Sequence, residues 1–232
     1  MAPSKAVTTV SEDGDDDLPA PAELRGAQAQ RRQRIIDEAH AMIAESGDET
    51  VQIRDIAERA DVALGTAYRY FGSKERLFAE VYAQWCQRLH EALVRDMRRG
   101  KSNTERTRLL ARTMLERLTG EPQLASIGRV LKVTEDPSIL RIVHRTEHGM
   151  LQLFRDALHG VEQRDADAIA MIVMSVIRAA QDRHTWAVID LDEANREVAK
   201  AVKMVLEFRD PALDDPGARS TSRPAKARPT SR

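Results

Sequence analysis

From about residue 28 to residue 208, apolar side chains recur three and four positions apart in one segment after another, and no stretch alternates apolar with polar over the length of a strand. A period near 3.6 lays a stripe along a helix, whereas a half-buried strand needs a period of 2. A chain patterned this way can build its core only by packing helices on helices, so the fold class is all-α. Ile35, Ile36, Ala39, Met42 and Ile43 make the first stripe, in a helix expected from Gln28 to Ser46 and stopped by Gly47. A long helix is expected from Ser73 to Arg99, with Leu77, Phe78, Val81, Trp85, Leu89, Leu93 and Met97 on one face. Further helices are expected at Thr104 to Thr119, Gln123 to Val133, Pro137 to His159, Asp165 to Ile189 and Asp192 to Phe208. Gly100, Gly120-Glu121-Pro122 and Asp136-Pro137 supply stops, and Asp165 and Asp192 suit the N-caps of the last two.

Composition narrows the core and the compartment. Aromatic residues are only 4% of the chain while methionine occurs 8 times, so the core must be largely aliphatic. The single Cys86 cannot close an intrachain disulfide, and the first residues lack the apolar run of a signal peptide, which sets the cytoplasm as the expected location. The longest apolar candidate, Ala166 to Ala180, is interrupted by Ser175 and Arg178 and is too short to span a bilayer. Residues 1–24, with "SEDGDDDLPAPAE", read as a disordered acidic tail, and residues 210–232 as a disordered basic one that solubilises the end or touches phosphates. A net charge of −1 gives no global sign of a polyanionic partner, so any nucleic-acid reading has to rest on a local arrangement.

One local arrangement stands out in "VQIRDIAERADVALGTAYRYFGSK", Val51 to Lys74. Ile53, Ile56, Ala57 and Ala60 form one buried face of a short helix, Asp61-Val62-Ala63 breaks it, and a second helix runs from Leu64 to Phe71 with Ala67 and Phe71 inward. Two short helices around a three-residue turn make a helix-turn-helix, whose second helix enters a DNA major groove. In that helix Gly65 lets backbone come close to DNA, Thr66 offers a hydroxyl and a methyl, Tyr68 and Tyr70 offer phenolic hydroxyls for phosphates, and Arg69 can read guanine or hold a phosphate. Ser73 suits the cap of the next helix, and Lys74 stands at its first turn beside free backbone N–H groups, a place for a phosphate.

With "IRDIAERADVA" ahead of it, "GTAYRYFGSK" resembles the DNA-binding domain of the TetR family of bacterial transcriptional regulators, over roughly Arg31 to Phe78. The resemblance implies that Thr66 and Tyr68 touch DNA, that Tyr70 and Lys74 hold phosphates, and that Arg54 adds a contact from the preceding helix. Gln52, Ala63 and Ala67 depart from the family's usual Ser/Thr, Ser and Leu. The run including Val51-Gln52 is also similar to actinobacterial regulators of the KstR type, which control sterol catabolism.

That resemblance implies a DNA-binding domain at residues 25–78 and a larger helical ligand-binding and dimerisation domain at 79–209. It further implies double-stranded operator DNA as partner and a homodimer through the last two helices. Ile169, Ile172, Val173, Val176, Ile177, Ala180, Val198, Val202, Val205 and Leu206 supply their apolar sets, which internal core would explain equally. It also implies a small-molecule effector in a cavity, for which Met114, Leu118, Val130, Phe154, Met171 and Met174 are candidate lining residues. The effector class expected is small and apolar: a lipid, a sterol metabolite or an acyl thioester. Trp85 and Trp186 are expected as packing anchors. His144 and His148, four apart, could share a metal, but no further ligand stands near them in sequence, so no metal site is expected. No cofactor loop, nucleophile elbow or catalytic residue is read, and the chain is expected not to be an enzyme. A ligand-independent DNA-binding protein is the alternative class.

Overall fold

A computed structural model of the chain describes residues 26–47 and 49–207; the expected tails lie outside them. The described residues form helices α1 (Ala27–Ser46), α2 (Ile53–Arg59), α3 (Leu64–Phe71), α4 (Lys74–Met97), α5 (Asn103–Gly120), α6 (Pro122–Leu131), α7 (Pro137–Asp156), α8 (Gln163–Thr185) and α9 (Leu191–Glu207), with no strand among them. Most of each apolar stripe is buried. Ile35, Ile36, Ala39, Ile43, Ile56, Ala67 and Phe71 close a small three-helix head, while Leu110, Leu115, Leu124, Ile127, Val143, Ile169, Val173, Val198 and Val202 belong to a larger body. Leu77, Val81, Trp85, Leu89 and Leu93 of α4 join the two into one contiguous aliphatic core. Helix α4 packs against α1 and α3 on the head side and against α5, α6 and α7 on the body side, while α8 packs on α5, α7 and α9.

Caps decide where helices begin and end, and three differ from expectation. Helix α7 stops at Asp156 rather than reaching His159 because the chain beyond it is claimed by α5. The Asn103 side-chain amide donates to the His159 carbonyl (3.0 Å) and accepts from the His159 N–H (2.9 Å), and Arg106 Nε donates to the Ala157 carbonyl (2.8 Å). Helix α8 begins at Gln163, which places Asp165 inside its first turn and leaves Glu162 at the cap. Asp190, not Asp192, caps α9, its Oδ1 accepting from the Glu193 N–H at 2.7 Å. Both acidic residues still lie in first turns, where the helix dipole favours them. Trp186 follows α8 and is 71% exposed, so it is no packing anchor within the subunit; Trp85, 4% exposed, is one.

Side chains cross between head and body at several points. The buried Arg32 pairs with Glu80 (3.1 Å) and lies over the Phe71 ring at 4.9 Å. Gln33 and Gln84 exchange reciprocal amide bonds of 2.9 and 3.1 Å. Arg76 of α4 donates to the Ser138 hydroxyl (3.1 Å), next to Asp136, whose Oδ1 caps α7 by accepting from the Ser138 N–H at 2.8 Å. Burial pushes the Asp136 carboxyl upward, but the hydrogen bonds from Ser138 and Ile139 and the nearby Arg76 outweigh it and hold the group below its ordinary 3.8. Asp136→Ala is expected to lower stability by about 1 kcal/mol in urea unfolding near neutral pH. A carboxyl titrating lower in the folded chain contributes fully above its unfolded value and loses that contribution as pH falls through its folded one. The difference between wild type and variant is therefore expected to close in acid.

Candidate nucleic-acid interface and effector cavity

The turn between α2 and α3 is held by its backbone: Asp61 takes φ 52°, and the Val62 N–H donates back to the Ala57 carbonyl (2.9 Å). Neither Gln52 nor Ala63 makes a side-chain cap, as their side chains imply. Arg59 compensates on α2. Its guanidinium binds Glu45 through two bonds of 2.8 and 2.9 Å and Glu38 through Nε at 2.8 Å, fastening α2 to α1. The hydrogen bond to Glu45, more than any other cause, raises the proton affinity of that already basic group. After α3 the chain reverses at Gly72 with φ 72°, a conformation that glycine adopts without a Cβ clash. Ser73 then caps α4, its hydroxyl oxygen accepting from the Arg76 N–H at 3.0 Å.

These constraints sort the side chains of α3. Ala67 and Phe71 are fully buried, and Gly65, Tyr68 and Arg69 are exposed on the opposite side with Thr66 at its edge. A Cβ built on Gly65 meets nothing within 4 Å, so the fold itself does not require glycine there. Arg54 is exposed on α2. Lys74 is half-buried at the start of α4 with its ammonium 5.1 Å from the centre of the Phe78 ring. Three residues beyond Ala67, Tyr70 turns its ring inward: it is 5% exposed and meets the Phe71 ring edge-on at 6.3 Å, while its hydroxyl is not among the buried unbonded atoms.

In the body, Tyr82, Trp85 and Leu89 of α4, Met114 and Leu118 of α5, Gly128 of α6, Met150 of α7 and Met174 of α8 surround a cavity of about 80 Å³. Met114, Leu118 and Met174 thus stand where expected. Val130 does not, because it lies on the outer side of α6 at 54% exposure; Phe154 is packed in the core at 1%, and Met171 is 61% exposed on the outside of α8. Sequence reading missed the polar part of the wall: Cys86, Arg129, Lys132, Glu147, Arg178 and Gln181. One signal was readable, since Arg178 and Gln181 continue the 3,4 spacing of Met174 and Ile177 on an otherwise apolar face. Burial pushes the Cys86 thiol up to about 12 and raises the Tyr82 phenol as well. The Glu147 carboxylate adds to both shifts, while Arg178 opposes it at Tyr82 and Lys132 at Cys86. His144 and His148 line an open groove between α7 and α8, and no group of three metal-binding side chains exists among the described residues.

Residues 35–81 match the family model described as bacterial regulatory proteins, tetR family. Over 164 residues the chain is 32% identical to the HTH-type transcriptional repressor KstR of Rhodococcus jostii, spanning 70% of this chain and 74% of that one. It is 30% identical over 176 residues to the KstR repressor of Mycobacterium tuberculosis, spanning 75% and 78%. The chain belongs to the TetR family. Among solved structures, the transcriptional regulator FadR from Bacillus subtilis in complex with stearoyl-CoA superposes with a TM-score of 0.60 at 20% identity, covering 73% of this chain and 96% of that one. TetR-family membership in the KstR-like branch makes this chain a ligand-responsive, DNA-binding transcriptional regulator. Its family relatives are regulators rather than enzymes.

One close approach in the body brings α6 against α4. A Cβ on Gly128 would come within 2.7 Å of the Tyr82 ring, so α6 can sit against α4 only with glycine there. Gly128→Ala is expected to cost about 1–3 kcal/mol in chemical unfolding. Tyr82 should be displaced as well, read as altered near-ultraviolet circular dichroism; an unchanged unfolding midpoint would mean that the two helices separate freely.

Proposed function

We propose that this regulator is a cytoplasmic homodimeric repressor that grips a palindromic operator and is released by a small apolar effector of lipid, sterol or acyl-thioester type. The observation that carries this reading is the polar outer side of α3, presented by a head that one continuous helix joins to the cavity wall. Thr66, Tyr68 and Arg69 contact DNA from α3, with Gly65 allowing close approach and Arg54 adding a contact from α2. Lys74, at an N-terminus with its own unpaired N–H groups, holds a phosphate. Tyr70, its ring buried, reaches a phosphate through its hydroxyl. Support for a lipid-type effector comes from the KstR relatives and from the stearoyl-CoA held by the similarly folded FadR.

Size connects effector to head. Small-molecule sites run to about 300–1,000 Å³, and 80 Å³ holds only a few waters. An effector must therefore part α4 from α6, α7 or α8, and moving α4 moves the head. For release, the effector must bind the opened state more tightly than the DNA-competent one.

The subunit interface uses the outer sides of α8 and α9. The apolar sets expected to form it are mostly internal: Ile169, Val173, Ile177, Ala180, Val198, Val202 and Leu206 are buried within the subunit. What remains outside is Met171, Ile172, Trp186, Val188 and Met204. The double variant Met171→Glu/Met204→Glu is expected to sediment as a monomer and to lose operator binding; a persisting dimer would place the interface elsewhere.

Capture of fragmented host DNA by the purified protein, followed by sequencing, is expected to return a short shared palindrome. Recovery without sequence preference would favour a ligand-independent DNA-binding protein. On the recovered site, Lys74→Ala is expected to weaken binding about equally for all sequences and to reduce the salt slope by about 1, whereas Thr66→Ala changes sequence choice. An unchanged affinity for Lys74→Ala would remove that residue from the phosphate contacts.

A further inference from the structure

The cavity that the proposed effector enters is apolar in most of its wall yet carries three cations, Arg129, Lys132 and Arg178, against one carboxylate, Glu147. Glu147 of α7 forms an ion pair with Lys132, which follows α6. Glu147 and Arg178 also line the open groove of about 610 Å³ between α7 and α8, so they stand at the boundary between the enclosed space and the outside. Asp182 and the two histidines line that groove but not the cavity. Arg129 and Arg178 are exposed, and Lys132 and Glu147 keep 32% and 38% of their side chains accessible, so the charges stand at the rim; those of Glu147, Lys132 and Arg178 still act on the buried Tyr82 or Cys86.

A second observation points to an occupant. Gln181, one turn beyond Arg178 on α8, is 5% exposed and lines the same cavity, and its side-chain amide makes no hydrogen bond to any described residue. Its amide atoms are not among the buried unbonded ones, so they keep accessible surface at the cavity wall and are open to bond an occupant. An accessible amide on an apolar wall and an excess of positive charge at its rim describe a site for a molecule with a long apolar body, a hydrogen-bonding oxygen and a negative group.

Resting on the reading of this cavity as the effector site, we propose that Glu147 is a built-in counter-ion which helps keep the cavity shut through Lys132. The effector is an amphipathic anion whose negative group takes its place on Lys132 and Arg178. The exchange leaves the cations paired in both states, and at a partly exposed rim one pairing replaces the other at small cost. The anion is a carboxylate, as in a free fatty acid, or the phosphates of an acyl thioester.

Titration calorimetry of the full chain with laurate, lauroyl-CoA and dodecanol separates these sources and tests the exchange. Glu147→Gln is expected to bind one or both anionic probes about tenfold more tightly than wild type with little change for dodecanol, and Lys132→Met to bind the same probes more weakly. The probe that gains identifies the carboxylate or the thioester as the recognised group. Unchanged or weakened anion affinity in Glu147→Gln overturns the counter-ion, as does an equal gain for dodecanol, which a merely loosened wall would produce. Met114→Trp, which fills the cavity, keeps the premise separate: its loss of all binding with no anion gain in Glu147→Gln retains the effector site and removes only the exchange. Binding unaffected by Met114→Trp, or no binding of any probe, removes the cavity reading together with this inference.

Discussion

Everything in this molecule hangs on α4 being one uninterrupted helix. At 1.5 Å per residue its 24 residues extend about 36 Å, with Lys74 in its first turn and Tyr82, Trp85, Cys86 and Leu89 on its cavity side. The helix carries nine buried residues spread from Leu77 to Leu93, so it is clamped by head and body alike. A helix held at both ends transmits displacement, because it cannot bend without a proline, a glycine or an inserted group, and α4 contains none of these residues.

Much of this was legible in the sequence, because the two periodicities that matter there are local. The helices and the inward positions Ala67 and Phe71 follow from spacing alone, and Ser73 follows from the chemistry of a helix start. What spacing could not settle was which side of a helix meets which neighbour. Val130 and Met171 have the same character as Leu118 and Met174, yet the first pair faces outward and the second lines the cavity. The apolar stripe of α8 divides for the same reason: most of it serves the internal core, while Ile172 and the neighbouring Met171 are exposed. Helix ends were misjudged where distant side chains intervene: nothing near His159 in sequence reveals that Asn103 and Arg106 of α5 take up the backbone there.

Tyr70 shows the limit of reading a motif by residue type. Its ring is buried where that of Tyr68 is exposed, because a helix turns 100° per residue and two positions separate outside from inside. Gly65 shows the converse. No internal neighbour lies within 4 Å of a Cβ built there, so packing within the fold does not call for glycine at this position.

The distribution of strong and weak contacts then decides what can move. Within the head, α1, α2 and α3 share side chains with no exposure at all, and Arg59 spans two carboxylates of α1. Besides the apolar packing of α4 and the largely buried Arg32–Glu80 pair, the polar links from the head are partly exposed: Gln33 with Gln84 on α4, and His40 with Glu121 at 3.5 Å. Burial lowers the His40 pKa, with Arg88 adding to the effect and Glu121 and Asp37 opposing it, so near neutral pH the imidazole faces Glu121 largely uncharged and the attraction is slight. Contacts of this kind contribute on the order of 1 kcal/mol or less each and exchange readily for water. The head therefore moves as a rigid unit whose lateral ties yield before its own core does, and the position of α4 governs its orientation. A ligand that widens a cavity of 80 Å³ against that helix acts on the most strongly clamped element of the molecule and the most weakly tied boundary at once. The free energy needed to reorient the head is then of the size that differential binding of a small effector supplies, about 1–3 kcal/mol.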